Sequence, residues 1–367
     1  MQKVLGIDIG SYSIKVVTLQ NRFNESRIID YREKVIPKVK EDEEIQVRIS
    51  IIKELIENQV NEDTKVFIAM PGLMVSSRIF EFMNLKKRLL TNIIENELDG
   101  SSIFSLEDSV YDYSIIQTKG RLTRVLTVVC QRSNIESLLE FTGSAGLNPK
   151  IIDVDYTSLF NLANYLTSST QEKSSKETEE NQTENLKKDE RQDDIIIDIG
   201  HTKTSFILIS NNKLTAIQVI NIGGDYFTEN LKKNFSITYN EAQTIKHHTS
   251  RVITDDLDLT TVSEKERIIF EITTYTANEL INEISRIIQF SKAEYGVEPR
   301  CIHLTGGGCL LNGLTEYFCE RLKIPTKIVI FNNKNLLFDT PDWRNTPTLG
   351  QALALGLRSV PSNAQSA

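Results

Sequence analysis

The chain has 367 residues, 40% hydrophobic and 25% charged, with a formal net charge of −8. That length and apolar content predict about two globular domains, and the acidic balance argues against nucleic acid or an anionic membrane surface as the main partner. The four cysteines, Cys130, Cys301, Cys309 and Cys319, form no Cys-x-x-Cys pair, which argues against a zinc site and for free thiols in a reducing compartment. No charged leader followed by an apolar run is visible, and no apolar segment reaches about 18–20 residues. Neither a signal peptide nor a transmembrane helix is expected, and the cytoplasm is the expected compartment.

In chain order, residues 3–9 and 14–20 read as a hairpin around the turn "GSYS", with a third strand at 27–36. Ile45, Ile49, Ile52, Ile56 and Val60 recur at helical spacing. "KVFIAM" at 65–70 is a short strand stopped by Pro71 and Gly72. Residues 74–145 alternate as a small αβ insertion, with strands near 75–82, 110–117 and 124–131 and helices near 86–98 and 133–145. "PKIIDVD" returns to a core strand, and "YTSLFNLANYL" reads as one helix. Residues 168–193 are almost wholly polar and predict a disordered loop, because they offer too little apolar surface to offset ordering entropy. A second hairpin follows near 194–199 and 203–210, then a strand at 213–221. Helices follow near 225–235, 238–248 and 264–294. A strand at 300–304 enters "TGGGCLLNGL", a helix runs to about 322, a strand covers 326–330, and "TLGQALALGL" closes as a helix.

Two segments share one plan, in which an apolar strand ends in Asp-Ile-Gly, turns through polar residues and resumes. The first carries Asp8, Gly10, Ser11, Tyr12, Ser13 and Lys15, and the second Asp198, Gly200, His201, Thr202 and Thr204. Glycine permits close approach, and turn amides with hydroxyls make an anion nest. A carboxylate beside a phosphate repels it unless a divalent cation lies between, and Mg²⁺ commonly bridges the two through water. Asp8 and Asp198 are therefore expected to hold Mg²⁺, and the pair of turns to clamp a nucleotide between two similar half-domains. For one such hairpin alone, a tight β-turn with local capping is the competing account. Gly306, Gly307 and Gly308 follow a strand and open a helix, which suits a base and ribose lying on bare backbone, or simply a crowded turn. Gly223 and Gly224 form a further turn. Glu241 and Lys246 either reach a ribose or adenine edge or lie on an exposed helix face. Asp155 either orients an attacking water, as a catalytic residue, or caps a helix.

The order of these pieces resembles the actin-like ATPase superfamily, and within it the PilM family of type IV pilus assembly. "GIDIGSYSIKVV", "AGLNPKIIDVDYTSLFNLANYL", "IDIGHTKTSFILI", "NIGGDYFTENL" and "IHLTGGGCLLNGLTEYFCERLKIP" carry the likeness over nearly the whole chain. "DGSSIFSLEDSVYDYSII" is similar to the subdomain inserted in the FtsA-like branch. The resemblance implies an α/β, two-lobed actin-like fold. Residues 1–72 would form the first lobe, 73–146 the inserted subdomain, 147–167 a connecting strand and helix, 168–193 the polar loop, 194–358 the second lobe and 359–367 a tail. It implies ATP with Mg²⁺, and the N-terminal cytoplasmic segment of a PilN-like inner-membrane protein as partner within the pilus assembly platform. It also allows a homo-oligomer or ring, and membrane attachment only through that partner. A relative of the type II secretion L protein, an FtsA-like division protein and a small-molecule kinase of the same superfamily are the alternatives.

Overall fold

A computed structural model describes residues 2–22, 25–83, 89–101, 105–166, 193–331 and 336–358. Strands β1 (Gln2–Ile9), β2 (Ser13–Arg22) and β3 (Glu25–Val35) run antiparallel in succession. β4 (Lys65–Met70) lies parallel to β1, and β8 (Pro149–Val154) parallel to β4. The second sheet repeats this plan. β9 (Asp193–Ile199), β10 (Thr204–Ser210) and β11 (Lys213–Ile220) are antiparallel, β12 (Cys301–Thr305) runs parallel to β9, and β13 (Thr326–Ile328) parallel to β12. The order β3-β2-β1-β4-β8 thus recurs as β11-β10-β9-β12-β13. The repeated Asp-Ile-Gly stretches occupy equivalent corners of two like sheets. This is the two-lobed actin-like plan.

A third sheet, ordered β5-β7-β6, is built from β5 (Val75–Met83), β6 (Ser109–Lys119) and β7 (Leu122–Gln131). Helix α2 (Leu90–Ser101) packs on it through Leu90, Ile94 and Leu98 against Val125 and Val129. Helices α1 (Glu41–Leu55) and α3 (Arg132–Ser144) flank the outer face of the first sheet, whose core includes Leu5, Ile7, Ile52 and Ile68. On the second sheet, α6 (Gly224–Phe235), α7 (Tyr239–His248), α8 (Glu264–Tyr295) and α9 (Leu314–Leu322) form the outer layer. The 32-residue α8 starts at a capping box, with Ser263 and Glu266 satisfying each other's backbone amides, and stops at left-handed Gly296.

Between the two large sheets lie α4 (Asp155–Ser158), α5 (Phe160–Leu166) and α10 (Gly350–Leu357). "YTSLFNLANYL" is therefore two helices broken at Leu159. Leu159, Leu162, Leu353 and Leu355 fill a core shared with Val4 and Leu19 of the first sheet and Ile196 and Ile207 of the second. β1 meets α10 closely enough that a Cβ at Gly6 would lie 2.7 Å from the amide nitrogen of Gly356. The short strand β14 (Leu336–Phe338), not foreseen from the sequence, pairs parallel with β3 and completes a six-stranded first sheet. Residues 168–192 of the polar loop and the tail 359–367 lie outside the described residues. Asp193, placed in that loop from the sequence, is instead the buried first residue of β9.

Candidate functional site

Strand alternation decides where the two aspartates point. On β1, Leu5 and Ile7 face the outer core, while Val4 faces the core between the lobes. Asp8, in step with Val4, is delivered to the inner face at the strand end. On β9, Ile195, Ile197 and Ile199 face the outer helices and Ile196 the inner core, so Asp198 emerges on the inner face too. The two carboxylates meet electrostatically. Burial, and next the charge of Asp8, push the pKa of Asp198 up from 3.8 to about 7.

Two lysines serve the acidic groups here, and Lys15 is felt at both Asp8 and Asp198. Lys15 stands opposite Asp8 in the hairpin register and donates to its Oδ2 at 3.1 Å. Burial disfavours the charged lysine, but Asp8 and Glu33 outweigh that and hold its pKa above the ordinary value. Lys203, in the second turn, crosses to the first lobe and pairs with Asp155 Oδ2. The same Oδ2 accepts the Gly72 amide at 3.1 Å, while Asp155 Oδ1 is buried without a hydrogen-bond partner. Asp155 is thus the first residue of α4 rather than its cap. Asp153 takes the local amide and hydroxyl, from Val154 at 2.8 Å and Thr157 at 2.8 Å.

The third motif closes over the same point. Thr305 pairs in register with Asp198, and Gly306 turns out of β12 at φ 84°, ψ 165°. A Cβ there would strike the Asp198 carboxylate and lie 2.6 Å from the Ile199 carbonyl oxygen. At Gly308 a Cβ would come within 2.9 Å of that oxygen. Gly307 has open space around it, with only Thr348 at 3.8 Å. Gly223 packs under the second turn, and the Gly224 amide donates to the Gly200 carbonyl at 2.9 Å. Lys246 donates to the Gly224 carbonyl at 3.1 Å and the Thr228 hydroxyl at 2.9 Å, and burial lowers its pKa to about 8.

The turns divide their polar groups between two uses. Ser11 and Thr202 are exposed at the tips. Ser13 is buried and donates to Glu33 at 2.7 Å, and buried Thr204 donates to the Ile222 carbonyl at 2.6 Å, so these two hydroxyls brace their hairpins. The Gly10 carbonyl is pinned by Arg48 of α1 at 3.0 Å. Glu241 stands apart. Its carboxylate closes a capping box on Thr238, accepting the Thr238 amide at 2.8 Å, on an exposed surface.

Aromatic groups bridge the mouth of the cleft. Tyr12 of the first turn lies 5.2 Å from the His201 ring and 6.3 Å from that of His247. Lys38 sits over the ring of Tyr239, which donates to Asp225. Burial, more than any neighbouring charge, depresses the His201 pKa. A cavity of about 430 Å³ lies beside Tyr12, lined by Asn240, Gln243, Thr244 and His247 on one face of α7, and also by His248. These four, with Lys203 and Lys38, were missed from the sequence. The spacing i, i+3, i+4, i+7 was readable as one face, but nothing local says that a glycine turn of the other lobe meets it.

A model of the family described as type IV pilus assembly protein PilM matches residues 6–340. The chain belongs to the PilM family. Among solved structures, this PilM-family chain is similar to one described as a PilM–PilN type IV pilus biogenesis complex. The identity is 20%, the match covers 98% of each chain and the TM-score is 0.77. It is similar also to the ethanolamine utilization protein EutJ of Carboxydothermus hydrogenoformans, at 15% identity, 97% and 90% coverage of this and that chain, and TM-score 0.53. MreB5 of Spiroplasma citri bound to AMPPNP matches at 11% identity, 96% and 95% coverage and TM-score 0.50. These likenesses are of fold. Among the described residues, no helix is long and apolar enough to cross a membrane.

Proposed function

We propose that this PilM-family chain binds a magnesium-bound adenine nucleotide between its lobes. In this reading it serves type IV pilus assembly as a cytoplasmic scaffold that holds the N-terminal segment of a PilN-like inner-membrane protein. The observation that carries the nucleotide reading is that Asp8 and Asp198, each near the end of an Asp-Ile-Gly strand and on the inner face of its sheet, lie near enough for the charge of one to raise the pKa of the other. A partly buried carboxyl whose pKa is pushed up by burial and by a second carboxylate is a poor resident of a permanently empty crevice. Oxygen donors of this kind suit a hard cation that keeps its waters. Gly307, with open space beside it, supplies bare backbone on which a flat nucleoside can rest, and the exposed tips at Ser11 and Thr202 offer donors to phosphate oxygens. The related MreB5 was solved with AMPPNP, and the PilM–PilN structure names the partner class. When bound, the cation would neutralise phosphate charge. The chain's own residues then position and shield it: Lys15 balances Asp8, the paired glycine turns admit the ligand, and Tyr12 with His201 covers the mouth.

Because both lobes grip one ligand, occupancy favours the closed arrangement, and affinity for the partner segment is expected to change with it. Titration calorimetry of Mg-ATP against wild type and Asp8→Ala tests the site. Wild type should bind, and the variant should bind at least tenfold more weakly, about 1.4 kcal/mol. Equal binding by both removes Asp8 from the site and the cation reading with it.

A further inference from the structure

The two lysines of the cleft floor differ in what they join. Lys15 and Asp8 face each other within one hairpin, so their pairing is fixed by strand register. Lys203 starts in the second lobe and ends on Asp155 in the first. Both side chains of that pair are less than a fifth exposed, at 17% and 18%. An enclosed ion pair contributes little net stability after desolvation. This one, moreover, leaves Asp155 Oδ1 buried and without a hydrogen-bond partner. The pair is therefore not a finished piece of structure. The same oxygen that takes the lysine, Oδ2, also accepts the Gly72 amide. The charge of Lys203 is also felt at Asp198, though less than that of Lys15. A lysine is a point charge on a flexible stem and changes partner readily.

We propose that Lys203 is the residue by which the cleft distinguishes a nucleoside triphosphate from a diphosphate, leaving Asp155 for the outermost phosphate group. The proposal rests on the nucleotide reading above and adds the specificity residue to it. A terminal phosphate carries more charge than one carboxylate and forms strong charge-assisted hydrogen bonds, so it outcompetes Asp155 for the ammonium. A diphosphate lacks that group and leaves the Lys203–Asp155 pair in place. The exchange also frees the Asp155 carboxylate only when the longer ligand is present.

The test is calorimetry in Mg²⁺ with AMPPNP and ADP on wild type, Lys203→Met and Asp155→Asn. Lys203→Met should weaken AMPPNP by about tenfold while changing ADP by less than about twofold. Asp155→Asn removes the competitor and should tighten AMPPNP severalfold, with ADP again unmoved. Opposite signs from the two halves of one ion pair are what a merely structural pair would not give. Loss of both ligands by both variants, or an AMPPNP-to-ADP ratio unchanged in either, overturns the proposal while leaving the site. Failure of wild type to bind either nucleotide overturns the site reading and this proposal together.

Discussion

Asp198→Asn should stabilise the ligand-free protein, and more so as the pH rises. Asp198 is partly buried, and burial first and then Asp8 raise its pKa from 3.8 to about 7. Below about pH 4 folded and unfolded chains both hold the proton and no penalty exists. Between about pH 4 and 7 the unfolded chain ionises while the folded one does not, so stability falls as pH rises. Above about pH 7 the loss is complete, and a shift of this size amounts to about 4 kcal/mol. At pH 5.5 the same arithmetic gives about 2 kcal/mol. Asparagine carries no such penalty, so its advantage over aspartate should grow by about 2 kcal/mol from pH 5.5 to 8. Any fixed cost of the amide cancels in that difference. Urea unfolding of both proteins at the two pH values, without Mg²⁺ or nucleotide, reads it directly. A gap that is independent of pH, or that narrows at pH 8, would refute the placement of this carboxyl beside Asp8.

Two further outcomes follow from close contacts. Gly306→Ala puts a side chain on a backbone conformation open essentially only to glycine and drives its Cβ into Asp198. It should cost about 2 kcal/mol or more in unfolding experiments and abolish nucleotide binding by calorimetry. Arg124 reaches from β7 of the three-stranded sheet to the second lobe, donating to the Thr215 carbonyl at 3.2 Å with its guanidinium 4.8 Å over the Tyr295 ring. Arg124→Ala should raise hydrogen exchange in β6 and β11 selectively, leaving α8 protected; uniform protection in the variant would mean that the contact does not hold the small sheet to the lobe.

Much of this was legible because local pattern and global packing agree. Alternation around Asp8 and Asp198 gave both hairpins, and strand parity alone predicts that the carboxylates share the inner face. The spacing of Thr238 and Glu241 is itself a capping-box signature, so the role that the structure gives Glu241 was readable and went unread. What was not legible depends on distant partners. β14 is three residues long and exists only because β3 offers an edge. The break at Leu159 goes with buried Gln351 donating to Ser158 at 2.9 Å, a contact 193 residues away in sequence. The destination of Lys203 is likewise tertiary, since a turn lysine reads as solvated until another lobe supplies Asp155.

The completion of the first sheet by β14 and α10 bears on how the protein is made. A ribosome delivers β1 through β8 early, yet Leu19 is covered by Gly356 and β3 is flanked by Leu336–Phe338. The strands of the second sheet, by contrast, lie in one unbroken stretch from Asp193 to Ile328. The strands of the second sheet can therefore pair as they emerge, whereas the first sheet gains its sixth strand only from residues 336–338. The first sheet waits, partly uncovered, for residues 336–357, and the inner face of the second, at Ile196 and Ile207, is covered by the same helix α10.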